Sequence, residues 1–306
     1  MCCNGCISNG TAIIVSSHGH VMIRMLFFKV LLICVLCLLC ISMNAQHIEY
    51  DKADSIAVEK ILKNADENQM DVEGLAKLFL GKPYLPNSLD KGNEEHLIVN
   101  TRQFDCLTFV ETIASLYLCS FNNEHSFENF CKRLQSLRYR NGIITGYTSR
   151  LHYFTWWAYD NEKRGNLFVI DKPAPLFSSI QIIGNNFMSS NPAKYKHLTD
   201  SIELLNKIRY YEDQFNGCSF LYIPKSKLDN SNLSEYIKSG DIVGIVTNKK
   251  GLDIAHVGFA VWVNKKLHLI HASSMMNKVI VDKKTLFEYC AENNTRLGVR
   301  IFRLCE

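Results

Sequence analysis

Partway along this chain the spacing of apolar residues changes from that of helices to that of strands, and this limits the fold more than any other feature. Before the change, Ile56, Val58, Ile61 and Leu62, then Val72, Leu75, Leu78 and Phe79, predict two short helices. Gly81-Lys82-Pro83-Tyr84 ends the second, because proline cannot continue a helix and restricts the residue before it. Leu97-Ile98-Val99 predicts a short strand. Further helices are expected over 106–118, over 126–137 with Phe127, Phe130, Cys131 and Leu134 on one face, and within 195–211 with Ile202, Leu205 and Ile208 inside. From Cys218 onward the pattern is β-branched and alternating: strands over 241–247, 255–262 and 267–274 are separated by tight turns. Two more strands, at 278–281 and 297–303, surround a helix over 284–290. This order predicts an α+β fold, N-terminal helices packed on an antiparallel sheet.

Neither a repeat nor a low-complexity linker interrupts 46–306, so a single domain is expected there. The net charge of +4 is modest and its cations are scattered, which gives no support for nucleic-acid binding. Residues 1–45 stand apart. Met22 and Met25 are candidate true starts; Arg24 and Lys29 flank or interrupt the apolar run 25–41, and Ser42-Met43-Asn44-Ala45 follows. That is the layout of a secretory signal peptide cleaved near Ala45, which predicts export to the periplasm or cell envelope with no stable membrane anchor after cleavage. An uncleaved anchor is the alternative, and a lipid on Cys40 is disfavoured by the bulk of Leu39. Of twelve cysteines, six lie in this leader and six (Cys106, Cys119, Cys131, Cys218, Cys290, Cys305) beyond it, without a CxxC pair to suggest zinc.

Cys106 sits where a helix is expected to begin, with Asp105 as its N-cap. A thiol there faces unpaired amide N–H groups and the positive end of the helix dipole, so a thiolate nucleophile is expected. The plainer alternative is a buried cysteine acting as a small hydrophobe. Two histidines favour the first. His256 and His271 fall at comparable places on successive strands joined by a tight turn, where His256, Gly258 and Ala260 share one face and Leu267, Leu269 and His271 share one face of the partner. Such an arrangement allows a cysteine, a histidine base and an orienting group. His268 points the other way. Arg150, His152 and Tyr153 lie in the aromatic segment 147–157, whose side chains suit a substrate wall; the alternative is an aromatic core with Arg140 and Arg150 in ion pairs.

Taken in order, Gly81-Lys82-Pro83-Tyr84, Phe104-Asp105-Cys106, Ala255-His256-Val257-Gly258, Ile270-His271-Ala272-Ser273 and Val279 resemble the motif set of the NlpC superfamily of cell-wall cysteine hydrolases. Asp105-Cys106-Leu107-Thr108-Phe109-Val110-Glu111, Ser149-Arg150-Leu151-His152-Tyr153, Asn186-Phe187-Met188 and Tyr222-Ile223-Pro224 resemble its N-acetylmuramoyl-L-alanine amidase-like branch. The resemblance implies a papain-like fold, Cys106 as nucleophile, His256 as general base and acid, and His271 as the group that orients it. It also implies that Tyr84 and Asp105 lie near a peptidoglycan or muropeptide substrate, with Tyr84 helping the Cys106 backbone N–H to hold an oxyanion. Neither metal nor cofactor is implied. Leu107-Thr108 stands where a Ser-Gly pair commonly follows the cysteine, which fits the amidase-like branch; a stem-peptide endopeptidase with the same triad is the nearest alternative. A catalytically silent wall-binding module is the remaining alternative.

Overall fold

A computed structural model describes Lys29 and residues 47–90, 92–171 and 175–305. The chain forms two units, Met1–His47 and Ile48–Glu306, and the architecture that follows is that of the second. Except for Lys29, the expected leader lies outside the described residues.

Strand β1 (Ile48–Glu49) pairs in parallel with β2 (Leu97–Ile98), and between them lie helices α1 (Lys52–Glu67) and α2 (Val72–Lys77). Helix α1 starts at Asp51, whose carboxylate accepts the Ala53 N–H at 2.8 Å while Asp54 accepts the Asp51 N–H at 3.2 Å. Its inner stripe is Val58, Leu62 and Ala65; Ile56, expected inside, is exposed. Helices α3 (Cys106–Phe121), α4 (Phe127–Arg138) and α5 (Phe154–Lys163) follow. Glu111 and Arg138, both buried, meet at 2.7 Å and tie α3 to α4, while Arg138 Nη1 donates to the Ile98 carbonyl of β2. Short strands β3 (Leu167–Ile170) and β4 (Ser179–Ile182) come next, then α6 (Phe187–Ser190), α7 (Lys196–Thr199) and α8 (Ile202–Phe215). Ile202 is the first residue of α8, after the cap at Ser201, and this terminal position leaves it in solvent; Leu205 and Ile208 are buried as expected.

The second half supplies β5 (Ser219–Pro224), β6 (Ile242–Thr247), β7 (Ile254–Val263), β8 (Lys266–Ser273), β9 (Lys278–Val281), helix α9 (Leu286–Ala291) and β10 (Arg296–Leu304). They form an antiparallel sheet in the order β4-β5-β10-β6-β7-β8-β9. Strand β10 is bounded by β6 on one side; on the other, β5 pairs with Gly298 and Val299 and β3 with Ile301 through Leu304. The fold is therefore α+β, as the sequence pattern requires. Strands β3 and β4 were not anticipated, because four-residue strands carry too short a local signal.

Both faces of the sheet are covered. Phe259 and Val261 of β7 and Phe302 of β10 join Phe109, Ile113 and Trp157 in the larger apolar cluster, with the helices. Ala260, Ile245, Leu269 and Ile301 join Leu286 and Cys290 of α9 in the smaller one. Phe109 is the joint that matters for the site: its ring lies 5.8 Å from Phe104 and 5.8 Å from Phe259. It presses the start of α3 against β7.

Candidate active site

Local chemistry explains why a helix begins at Cys106. Asp105 has extended backbone angles, and its Oδ1 accepts the N–H groups of Leu107 at 3.0 Å and Thr108 at 2.8 Å. Thr108 Oγ1 accepts the Asp105 N–H at 2.9 Å, closing a capping box. Upstream, the Thr101 N–H and hydroxyl both donate to buried Asp54, at 2.9 and 2.7 Å, so the segment leading to the cysteine is moored to α1. Asp105, expected near substrate, thus spends Oδ1 on the helix.

On β7 a register shift leaves Ala255 without a partner on β6, since Ile245 faces His256 and Val246 faces Ile254. The β7–β8 ladder begins only at Phe259 and Ile270, which leaves the Val257 N–H clear of β8. That N–H is directed at the Cys106 sulfur. Helix start and strand edge therefore meet at the thiol.

His256, Cys106, Leu107, His152 and Tyr153 line one cavity of about 210 Å³. Nε2 of His256 lies 2.6 Å from Nδ1 of His271, and Nε2 of His271 lies 3.3 Å from Oδ2 of Asp282. The two rings stand nearly perpendicular, at 87°, and Tyr289 of α9 packs against both. Gly258 makes this approach possible: a Cβ there would come within 2.8 Å of the His271 Cβ. His268, excluded from the triad, meets the Asp282 carbonyl at 3.0 Å instead.

The protonation states differ from the sequence expectation. Burial, then the neighbouring Asp105 carboxylate, pushes the Cys106 thiol up to about 12, although the N–H groups of Val257, Cys106 and Leu107 pull the other way. Desolvation outweighs the helix terminus. For His256, burial, His271 and Arg296 lower the pKa to about 3 against the opposing pull of Asp282. At neutral pH the thiol and the imidazole are thus both uncharged.

Tyr84 sits close to Asp105 and Cys106. Residues Pro83 and Leu85 bond to Phe104 through the Phe104 N–H at 3.0 Å and the Leu85 N–H at 2.9 Å, which sets Tyr84 beside Asp105. Burial, Cys106 and Asp105 raise its hydroxyl to about 12, so it is a donor at neutral pH. The other wall residues serve differently. Tyr153 gives its ring to the cavity, but its hydroxyl donates to Glu212 at 2.7 Å and accepts the Met188 N–H at 2.9 Å. His152 Nε2 donates to the Tyr147 carbonyl at 2.9 Å, leaving Nδ1 as an acceptor, and burial followed by Arg150 holds the ring well below its ordinary pKa.

Arg150 is not in the cysteine cavity. It lines an adjoining one, also about 210 Å³, whose wall of Leu107, His152 and Tyr195 is common to both. There it pairs with Asp90 and with Glu95, the latter at 3.5 Å, and these carboxylates hold its pKa up against burial. The plainer ion-pair reading of Arg150 therefore describes its contacts. A larger groove, about 740 Å³ between α1 and Phe79, contains no cysteine or histidine. Among the described residues no group of His, Cys, Asp or Glu is arranged to hold a metal ion.

Asp282 was missed. Its signal was present in the hairpin register: His271 faces Ile280, and two residues further on the same face comes Asp282.

The family model described as AmiA-like, N-acetylmuramoyl-L-alanine amidase-like, matches residues 74–299. The chain belongs to this amidase-like family. The amidase-like match spans the segment that builds the site, from α2 to β10. Among solved structures, an N-acetylmuramoyl-L-alanine amidase from Bacteroides uniformis is 35% identical, with 79% of this chain and 100% of that chain covered and a TM-score of 0.73. A putative xylanase from Bacteroides fragilis is 36% identical, covering 75% and 99%, with a TM-score of 0.71. A Legionella pneumophila protein at 24% identity, covering 82% and 94%, shares the fold at a TM-score of 0.64. No curated protein matches.

Proposed function

We propose that this protein is an exported cysteine hydrolase that cleaves the amide joining the lactyl group of muramic acid to L-Ala in peptidoglycan. The observation that carries the reading is His256, which lines the cavity of Cys106 and is hydrogen-bonded to His271 behind it, within an amidase-like chain. In this reading the enzyme is a papain-like member of the NlpC superfamily, with 46–306 as its one catalytic domain. Residues 1–45 are a cleaved leader that delivers it to the periplasm or cell envelope.

His256 Nδ1 takes the thiol proton as the Cys106 sulfur bonds to the carbonyl carbon. The Cys106 N–H and the Tyr84 hydroxyl meet the oxyanion. When the C–N bond breaks, His256 returns the proton to the departing L-Ala nitrogen. Water then adds to the thioester, with His256 accepting its proton, and the C–S bond breaks to release the muramic acid carboxyl and restore the thiol. His152 offers its bare Nδ1 to an amide N–H of the substrate, and Arg150 and Tyr153 keep the wall in place.

A glycosidase in the sense of the Bacteroides fragilis relative's name needs two carboxyl groups free to face a sugar bond. Next to this cavity Asp105 caps α3, and Asp253 holds the N–H groups of Thr155 at 2.7 Å and Ile254 at 2.8 Å. Both oxygens of Asp253 and Oδ1 of Asp105 are committed, so these two are not a free pair of carboxyl groups. The test is digestion of defined muropeptides by the wild type and Cys106→Ala. A new L-Ala N-terminus from the wild type alone supports the amidase; cleavage within the stem peptide makes it an endopeptidase, and equal, null digestion makes it a binding module.

A further inference from the structure

Asp282, just past the end of β9, has each of its two carboxylate oxygens committed. Oδ1 accepts the Lys284 backbone N–H at 2.9 Å, and Oδ2 faces Nε2 of His271 at 3.3 Å. Burial alone would raise its pKa, but the hydrogen bonds from His271 and Lys284 overcome that and hold it below the ordinary value of 3.8. At neutral pH the group is a carboxylate.

A carboxylate has no proton to give, so the proton between Asp282 and His271 belongs to Nε2 of His271. In a neutral ring Nδ1 is then a bare acceptor. His256 Nε2, 2.6 Å away, must supply the proton between the two rings. By the same rule Nδ1 of His256 is left bare, in the ring that shares its cavity with Cys106. Each contact fixes the next.

We propose that Asp282 is a positioning residue that sets the tautomers of both His271 and His256, and so leaves His256 Nδ1 unprotonated to receive the Cys106 proton. The inference rests on the reading of Cys106 and His256 as nucleophile and base.

The isosteric variant Asp282→Asn makes an unusual test. The Lys284 backbone N–H is a donor in every state, so the amide oxygen must stay with it, and the NH₂ group then faces His271. Two donors cannot pair. His271 is driven to the other tautomer, its Nδ1–H donates to His256, and His256 ends with its proton on Nδ1, the nitrogen that the proposal needs bare. Asp282→Ala only removes the director and leaves both tautomers populated. The harsher substitution is thus the milder one in effect.

On a defined muropeptide, kcat of Asp282→Asn should fall about a hundredfold or more, and that of Asp282→Ala about tenfold, with KM within about twofold in both. Imidazole ¹⁵N spectra should show His256 Nδ1 bare in the wild type and protonated in Asp282→Asn. A residue needed merely as a spacer or surface charge gives the opposite order, Asn milder than Ala; that order, wild-type kcat in either variant, or a protonated Nδ1 in the wild type overturns the proposal. The wild-type spectrum stands even where a variant does not fold. Hydrolysis surviving in Cys106→Ala would remove the underlying reading, whereas a dead Cys106→Ala beside fully active Asp282 variants removes only this inference.

Discussion

Nε2 of His256 and Nδ1 of His271 are 2.6 Å apart, a separation at which one of the two facing nitrogens must donate to the other. The approach depends on Gly258, whose missing side chain leaves room for His271 and Leu269.

Gly258→Ala should therefore separate the rings. The new Cβ would stand 2.5 Å from Leu269 Cδ2, 2.7 Å from the Ile270 carbonyl oxygen and 2.8 Å from His271 Cβ. A loss of about 1–3 kcal/mol in stability is expected from such overpacking. Activity should fall further than stability, at least about tenfold at temperatures where the variant is fully folded. Chemical denaturation and turnover, measured on the same preparation, check both.

Reactivity of the Cys106 thiol should climb with pH. A thiol pushed up to about 12 by burial and by Asp105 is mostly protonated at neutrality. The alkylation rate should rise about tenfold for each pH unit between neutrality and mild alkali, because only the thiolate reacts. Subtracting the rate of Cys106→Ala removes the contribution of exposed Cys218. A plateau near pH 7 would instead indicate a preformed thiolate and imidazolium.

Phe109→Ala removes a fully buried ring that touches both Phe104 and Phe259. The cost should be about 3–5 kcal/mol, read from urea unfolding. Turnover should drop as well, since the start of α3 loses its seat on β7.

Asp54 is a test of acid stability. Burial acts to raise its pKa, but hydrogen bonds from Thr101 and Arg102 prevail and lower it from 3.8. A carboxylate with a depressed folded-state pKa stabilises the fold above its unfolded value, and that contribution is lost as pH falls through the folded one. The melting temperature of the wild type should therefore decline below about pH 4, while Asp54→Asn starts lower and is flatter there. At neutral pH Asp54→Ala should cost about 1–3 kcal/mol, because the buried Thr101 N–H loses its partner.

The parts of the site that depend on local pattern were legible in the sequence. Asp105 before an apolar stripe gave the start of α3, and strand alternation set His256 and His271 on neighbouring strands. What depended on distant burial was not. The helix terminus argued for a thiolate, and burial of Cys106, with the Asp105 carboxylate beside it, reverses that. Arg150 looked equally fit for a substrate carboxylate or an ion pair, and its partners Asp90 and Glu95 lie far away in sequence. Tyr153 gave no sign that its hydroxyl would be taken by Glu212. Asp282 escaped notice because its meaning lies in the register of β8 against β9, which no single segment displays.

The ring stack of Phe104, Phe109 and Phe259 has a bearing on when this molecule can act. Because the same interior aromatic joins the cysteine's helix to the histidine's strand, bond-breaking ability arrives only with the closing of the hydrophobic centre. A polypeptide not yet folded would carry sulfur and imidazole as strangers, harmless to whatever it met.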